Sequence, residues 1–127
     1  MRAADVLKIL QELQQSDVTG DRLFQKFQSS VRDDRKLACA LRGFLLGEDR
    51  DAYLRYLLAR PRQTVSALIL SGNIAALEAL DAYAVYTESL TDEFLKTAID
   101  CGRQEATVWL LKLKAARFGF RDKDFSL

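Results

Sequence analysis

Apolar side chains recur along this chain three and four residues apart, and nowhere do they alternate one by one for long. That spacing gathers them on one side of an α-helix, so the pattern predicts helices throughout and no sheet. Helix one reads Val6, Ile9, Leu10 and Leu13, with Leu7 widening the stripe, and breaks over residues 16–20. Asp21 stands where it can cap a second helix, whose stripe is Leu23, Phe24, Phe27 and Val31. Asp33 or Asp34 opens a third, with Leu37, Leu41, Phe44 and Leu45 on one face and Gly47 at its end. Asp49 or Asp51 starts a fourth, through Tyr53, Leu54, Leu57 and Leu58.

Pro61 terminates that helix and suits the first turn of the next, where its missing N–H has no helical partner to lose. Helix five carries Val65, Leu68 and Ile69, with Gly72 as its left-handed C-terminal residue. Helix six is Ala76, Leu77, Leu80, Tyr83 and Ala84. After a loop over residues 86–90, Thr91 is the expected N-cap, and Asp92 and Glu93 fall in a first turn that favours acids. Helix seven then buries Leu95, Ala98 and Ile99 and stops at Gly102. Helix eight buries Ala106, Trp109, Leu110 and Leu113, and Lys112, Lys114 and Arg117 give it a basic C-terminal end. The expectation is an all-α chain of about eight helices in antiparallel pairs.

Part of this pattern occurs twice. Adding thirty maps Val65 to Leu95, Leu68 to Ala98, Ile69 to Ile99, Gly72 to Gly102, Ala76 to Ala106, Leu80 to Leu110 and Tyr83 to Leu113. Each pair keeps core character or the turn glycine; Leu77 against Thr107 is the mismatch. An earlier pair aligned by Gly47 is a shorter, looser copy. Repeated helix pairs stack to bury a continuous core, so a short solenoid over one domain, 1–127, is expected. It divides into less regular pairs over 1–60, two matched pairs over 61–117, and a tail over 118–127 whose Phe118, Phe120 and Phe125 cap the last pair.

The stretch from Ala98-Ile99-Asp100-Cys101-Gly102-Arg103 through Glu105-Ala106 to Trp109-Leu110-Leu111 resembles the centre of an ankyrin repeat. Ser71-Gly72-Asn73 with Leu77 and Leu80 is a second match, and together they cover roughly residues 61–117. Thr64-Val65-Ser66-Ala67 and Glu93-Phe94-Leu95-Lys96 stand where that family opens a repeat with Thr-Pro-Leu-His. The ending also resembles small bacterial proteins with ankyrin-like helix pairs. The resemblance implies an ankyrin-like α-solenoid serving as an interaction module, with no chemistry of its own.

Composition narrows the choice of function. With 49% hydrophobic and 29% charged residues the chain has the make-up of a globular protein, and no apolar run approaches the roughly 18 residues of a membrane span. The opening residues mix acid and base, unlike a secretory leader. Cys39 and Cys101 both sit in apolar helical segments, which predicts buried, reduced thiols and a cytoplasmic location. Histidine is absent, removing the commonest general base and transition-metal ligand. Neither cofactor nor metal is expected, and no catalytic residue is assigned. The carboxylate pairs Asp33-Asp34, Asp49 with Asp51, and Asp92-Glu93 read as helix-start residues rather than acid–base machinery.

The expected function is therefore a non-catalytic protein–protein interaction or adaptor module. Its binding surface is expected near residues 62–67 and 90–96, with no individual contact residue assigned. The alternative is binding of a phosphate backbone by Arg32, Arg35, Lys36, Arg42, Arg50, Arg55, Arg60 and Arg62, together with Lys112, Lys114, Arg117, Arg121 and Lys123. Arg35 and Arg42, seven apart, share a helical face in that reading. Tyr53, Tyr56, Tyr83 and Tyr86 read as core-edge residues with their hydroxyls in water.

Overall fold

The computed structural model describes residues 1–119; the expectations for Phe120, Phe125, Arg121 and Lys123 lie outside them. The chain is all-α: α1 (Ala3–Gln15), α2 (Gly20–Ser29), α3 (Asp33–Leu45), α4 (Asp51–Leu58), α5 (Pro61–Ser71), α6 (Ile74–Leu80), a 3-10 turn (Asp81–Tyr83), α7 (Glu88–Asp100) and α8 (Gln104–Arg117). No helix among the described residues is long and apolar enough to cross a membrane. Pro61 occupies the first turn of α5, and Gly72 ends that helix with φ +70°.

At the centre lies α3. Leu37, Ala38, Cys39, Ala40 and Leu41 are consecutive and all but inaccessible. Successive helical residues point about 100° apart, so this run means that α3 is covered all round. Its neighbours are α1, α2 and α4. α1 carries Val6, Leu10 and Leu13 into the core and packs against α3 and α5. From there the core continues through α5 to α6 and α7, and from α7 to α8.

The thirty-residue repeat holds for the turns and only partly for the buried faces. Leu68 and Ala98, Ala76 and Ala106, and Leu80 and Leu110 are buried in both copies, and Gly72 and Gly102 share a left-handed φ. Ile69 is buried, whereas Ile99 is 58% exposed and Leu95 half-buried. The face of α7 that turns inward is Thr91, Phe94 and Ala98, not Leu95, Ala98 and Ile99. The reason lies in the neighbours: α5 is enclosed by α1, α4, α6 and α7, while α7 has α5 and α8 as its main contacts. A helix with fewer neighbours buries a narrower stripe.

Several helix starts differ from expectation. α7 begins at Glu88, and its cap is Thr87, whose Oγ1 accepts from the Leu90 N–H at 3.3 Å. Thr91 is a fully buried core residue instead, and its hydroxyl finds no partner among the described residues. Replacing it by isosteric Val is expected to raise the thermal midpoint, by relieving about 1 kcal/mol of desolvation; a lowered midpoint would show the hydroxyl to be satisfied. Asp21 does not cap α2. Thr19 holds the N-cap position without a side-chain bond, and the Gly20 N–H donates instead to Glu48 Oε2 at 2.9 Å. Arg32 and Arg50 precede α3 and α4, so none of Asp33, Asp34, Asp49 or Asp51 is the N-cap residue. Helix six is shorter than expected, ending at Leu80 and giving way to the 3-10 turn and Ala84 at φ +58°. Val31 lies beyond the end of α2 and is 96% exposed rather than part of its stripe.

Candidate functional site

An open groove of about 800 Å³ lies where α1, the end of α2 and the start of α3 meet. It exists because α2 stops at Ser29 and the chain runs extended through Ser30, at φ −70° and ψ 125°, before α3 begins. The Ser30 hydroxyl donates to the Lys26 carbonyl at 2.5 Å and so holds the end of α2. Ile9 and Leu13 give the groove apolar lining from α1, and Val31 projects beside it. Polar walls complete it. Asp5, Lys8 and Glu12 come from α1, and Lys26 of α2, Arg32 of the connecting segment and Arg35 of α3 face them.

The charges divide into tied and untied groups. Asp34 accepts from Arg32 Nη2 at 2.5 Å and from the Arg35 N–H at 2.8 Å. Burial pushes its carboxyl up, but these bonds and the two guanidinium charges outweigh it and hold the group below its ordinary value. Lys8, Lys26 and Arg35 form no ion pair with a carboxylate among the described residues. Cys39 also lines the groove but is 3% exposed. Desolvation drives its thiol up against the opposing influence of Lys26, Ser30 and Arg35, which leaves it a poor nucleophile. Cys101, expected to be buried, is exposed beyond the end of α7.

Most of the central basic residues serve as ties between helices. Arg42 is buried and donates to the Val18 carbonyl at 3.2 Å and to Asp17 at 3.3 Å. It therefore shares no solvent face with exposed Arg35. Arg50 pairs with Asp21 at 2.8 Å, Arg60 with Asp33 at 3.9 Å and Arg62 with Glu93 at 2.8 Å. Lys114 reaches Asp92 at 3.0 Å, and Arg117 grips Asp81 with two nitrogens. That grip lowers the Asp81 carboxyl despite partial burial. Lys36 lies 4.9 Å from the Phe27 ring centre, Arg60 3.8 Å from Tyr56, and Arg50 4.3 Å from Phe24. These cations cover the aromatic edge between α2 and α4.

The surface expected over residues 62–67 and 90–96 carries both buried residues and exposed ion-paired ones. Thr64 and Val65 are buried, Arg62 is tied to Glu93, and Asp92 to Lys114. Comparison with known families finds no match. No curated protein or solved structure is significantly similar to the chain either.

The tyrosines divide. Tyr53 and Tyr86 are buried, contrary to the core-edge expectation, while Tyr83 is 43% exposed and half-buried Tyr56 donates to Asp33 at 3.1 Å. Trp109 is half-buried and meets Tyr86 edge-on at 5.2 Å. The groove itself escaped the sequence reading because it is assembled from the ends of three helices. Its one local signal was Ser29-Ser30-Val31-Arg32, a polar interruption read there as helix.

Proposed function

We propose that the chain is a non-catalytic protein-interaction module, an ankyrin-like stack of helix pairs, whose binding site is the α1–α2–α3 groove. The observation that carries this reading is the coincidence of apolar Ile9 and Leu13 with three cations, Lys8, Lys26 and Arg35, that form no salt bridge among the described residues. A groove of this make-up suits a peptide segment with an apolar anchor flanked by acidic side chains. It differs from the surface near residues 62–67 and 90–96, where internal ion pairs already engage the charges.

Nucleic-acid binding is the weaker reading. Five of its eight central bases, Arg32, Arg42, Arg50, Arg60 and Arg62, are held by carboxylates of the same chain. Phosphates would have to displace those partners, which removes much of the gain from counterion release.

Selection of random peptides on the purified chain tests the proposal. Acidic, apolar-anchored sequences are expected, and a Lys26→Glu, Arg35→Glu double variant should bind them about tenfold more weakly, a loss of about 1.4 kcal/mol. Indifference of every selected peptide to the double variant would reject the groove. Binding of a generic duplex that weakens steeply with salt and is lost in the same variant would favour the nucleic-acid reading instead.

A further inference from the structure

α8 is apolar on two opposite sides. One side is the core face, where Ala106 and Leu110 are buried and Trp109 and Leu113 half-buried. The other carries Gln104, Val108, Leu111 and Ala115, all exposed, with Val108 at 49% and Leu111 at 37%. At about 100° per residue these four fall within about 60° of one another, diametrically opposite the core face. A helix at a protein surface ordinarily turns charge outward along that line. Here the charges stand to the sides, Glu105 near the first turn and Lys112 two turns later.

We infer that the outer stripe of α8 pairs with the same stripe of a second copy of this chain, the two helices running antiparallel about a twofold axis. Spacings of four, three and four residues from Gln104 to Ala115 are those of a coiled-coil seam. An antiparallel arrangement centred between Trp109 and Leu110 sets Val108 against Leu111 of the second copy, and Gln104 against its Ala115. It also sets Glu105 beside Lys112 of the second copy, and twofold symmetry makes that pair twice. The charge complementarity favours this occupant: a parallel pairing would put the flank carrying Glu105 and Lys112 on opposite sides of the seam in the two copies, so that the two charges could not meet. Neither Glu105 nor Lys112 is engaged in an ion pair among the described residues, so both are available. Four layers along one 14-residue helix make a small interface, of the weak and reversible class. It lies on a different helix from the proposed peptide groove and does not depend on it.

Sedimentation velocity of the whole chain over a wide concentration range tests this. The expected result is a reversible monomer–dimer equilibrium. Val108→Asp should abolish the dimer while circular dichroism shows the helices retained. Glu105→Lys alone and Lys112→Glu alone each place like charges together and should weaken dimerisation about tenfold or more. The Glu105→Lys, Lys112→Glu double variant restores opposite charges and should recover it. A chain that stays monomeric at every concentration overturns the inference. A dimer that ignores Val108→Asp, or one that the double variant fails to recover, overturns the antiparallel α8 pairing.

Discussion

Replacing Gly43 by alanine is expected to destabilise the chain by about 2 kcal/mol, although the same change on an exposed helix would stabilise it. Gly43 lies within α3, is buried, and faces the ring of Tyr53 on α4. A Cβ built there falls inside van der Waals distance of Tyr53 Cε2 and Cδ2 and reaches Cζ at 3.0 Å. The ring has little freedom to yield: Tyr53 is 1% exposed and edge-packed on Phe27 at 5.1 Å and on Phe24 at 5.8 Å. Overpacking of this severity costs about 3 kcal/mol, and the helix-propensity gain of alanine over glycine returns about 1. Urea unfolding followed by circular dichroism reads the difference. A Tyr53→Leu background should shrink the cost by about 1 kcal/mol or more, since the two residues are in contact and their effects cannot add. A stabilised Gly43→Ala chain would mean that α3 and α4 do not approach so closely.

Gly43 illustrates what a single sequence discloses. Its neighbours Leu41, Phe44 and Leu45 marked a helix, and α3 is there; nothing local disclosed that the glycine meets an aromatic ring ten residues on. Helical period is carried by neighbouring residues, so the number of helices was legible and Pro61, Gly72 and Gly102 fell at their expected boundaries. Which helices touch depends on distant partners. The adjacency of α1 to α3 and α5 left no local trace, because an apolar stripe says which side is buried and not against what. Helix starts failed for a related reason. Asp21 and Asp33 had the right chemistry for a cap, but Arg50 and Arg60 from later in the chain engage them as ion pairs. Those same pairs dispersed the basic cluster of residues 32–62, whose density along the sequence had suggested a surface for phosphates. The candidate groove was the least legible feature, since its walls come from three separate helices.

Two buried tyrosines should respond with opposite sign to the loss of one oxygen. Tyr86→Phe is expected to cost about 2 kcal/mol. The Tyr86 hydroxyl donates to the Leu77 carbonyl at 2.7 Å, in the last turn of α6. The Asp81 N–H, which would continue the α-helical ladder to that carbonyl, turns instead to Glu78. Phenylalanine would therefore strand a buried acceptor as well as delete a hydrogen bond. Tyr53→Phe is expected to stabilise by about 1 kcal/mol, because the Tyr53 hydroxyl is buried with no partner among the described residues. Both rings keep their aromatic packing in the variants, so the difference isolates the hydroxyl. Alkaline pH supplies an independent check. Burial, reinforced by Glu48, pushes the Tyr53 hydroxyl up to about 12 from an ordinary 10.0. The unfolded chain then releases this proton before the folded one, so stability present below pH 10 is lost as pH rises toward 12. Tyr53→Phe should remove part of that alkaline slope. Equal and same-signed effects of the two substitutions would contradict the hydrogen-bonding difference on which both expectations rest.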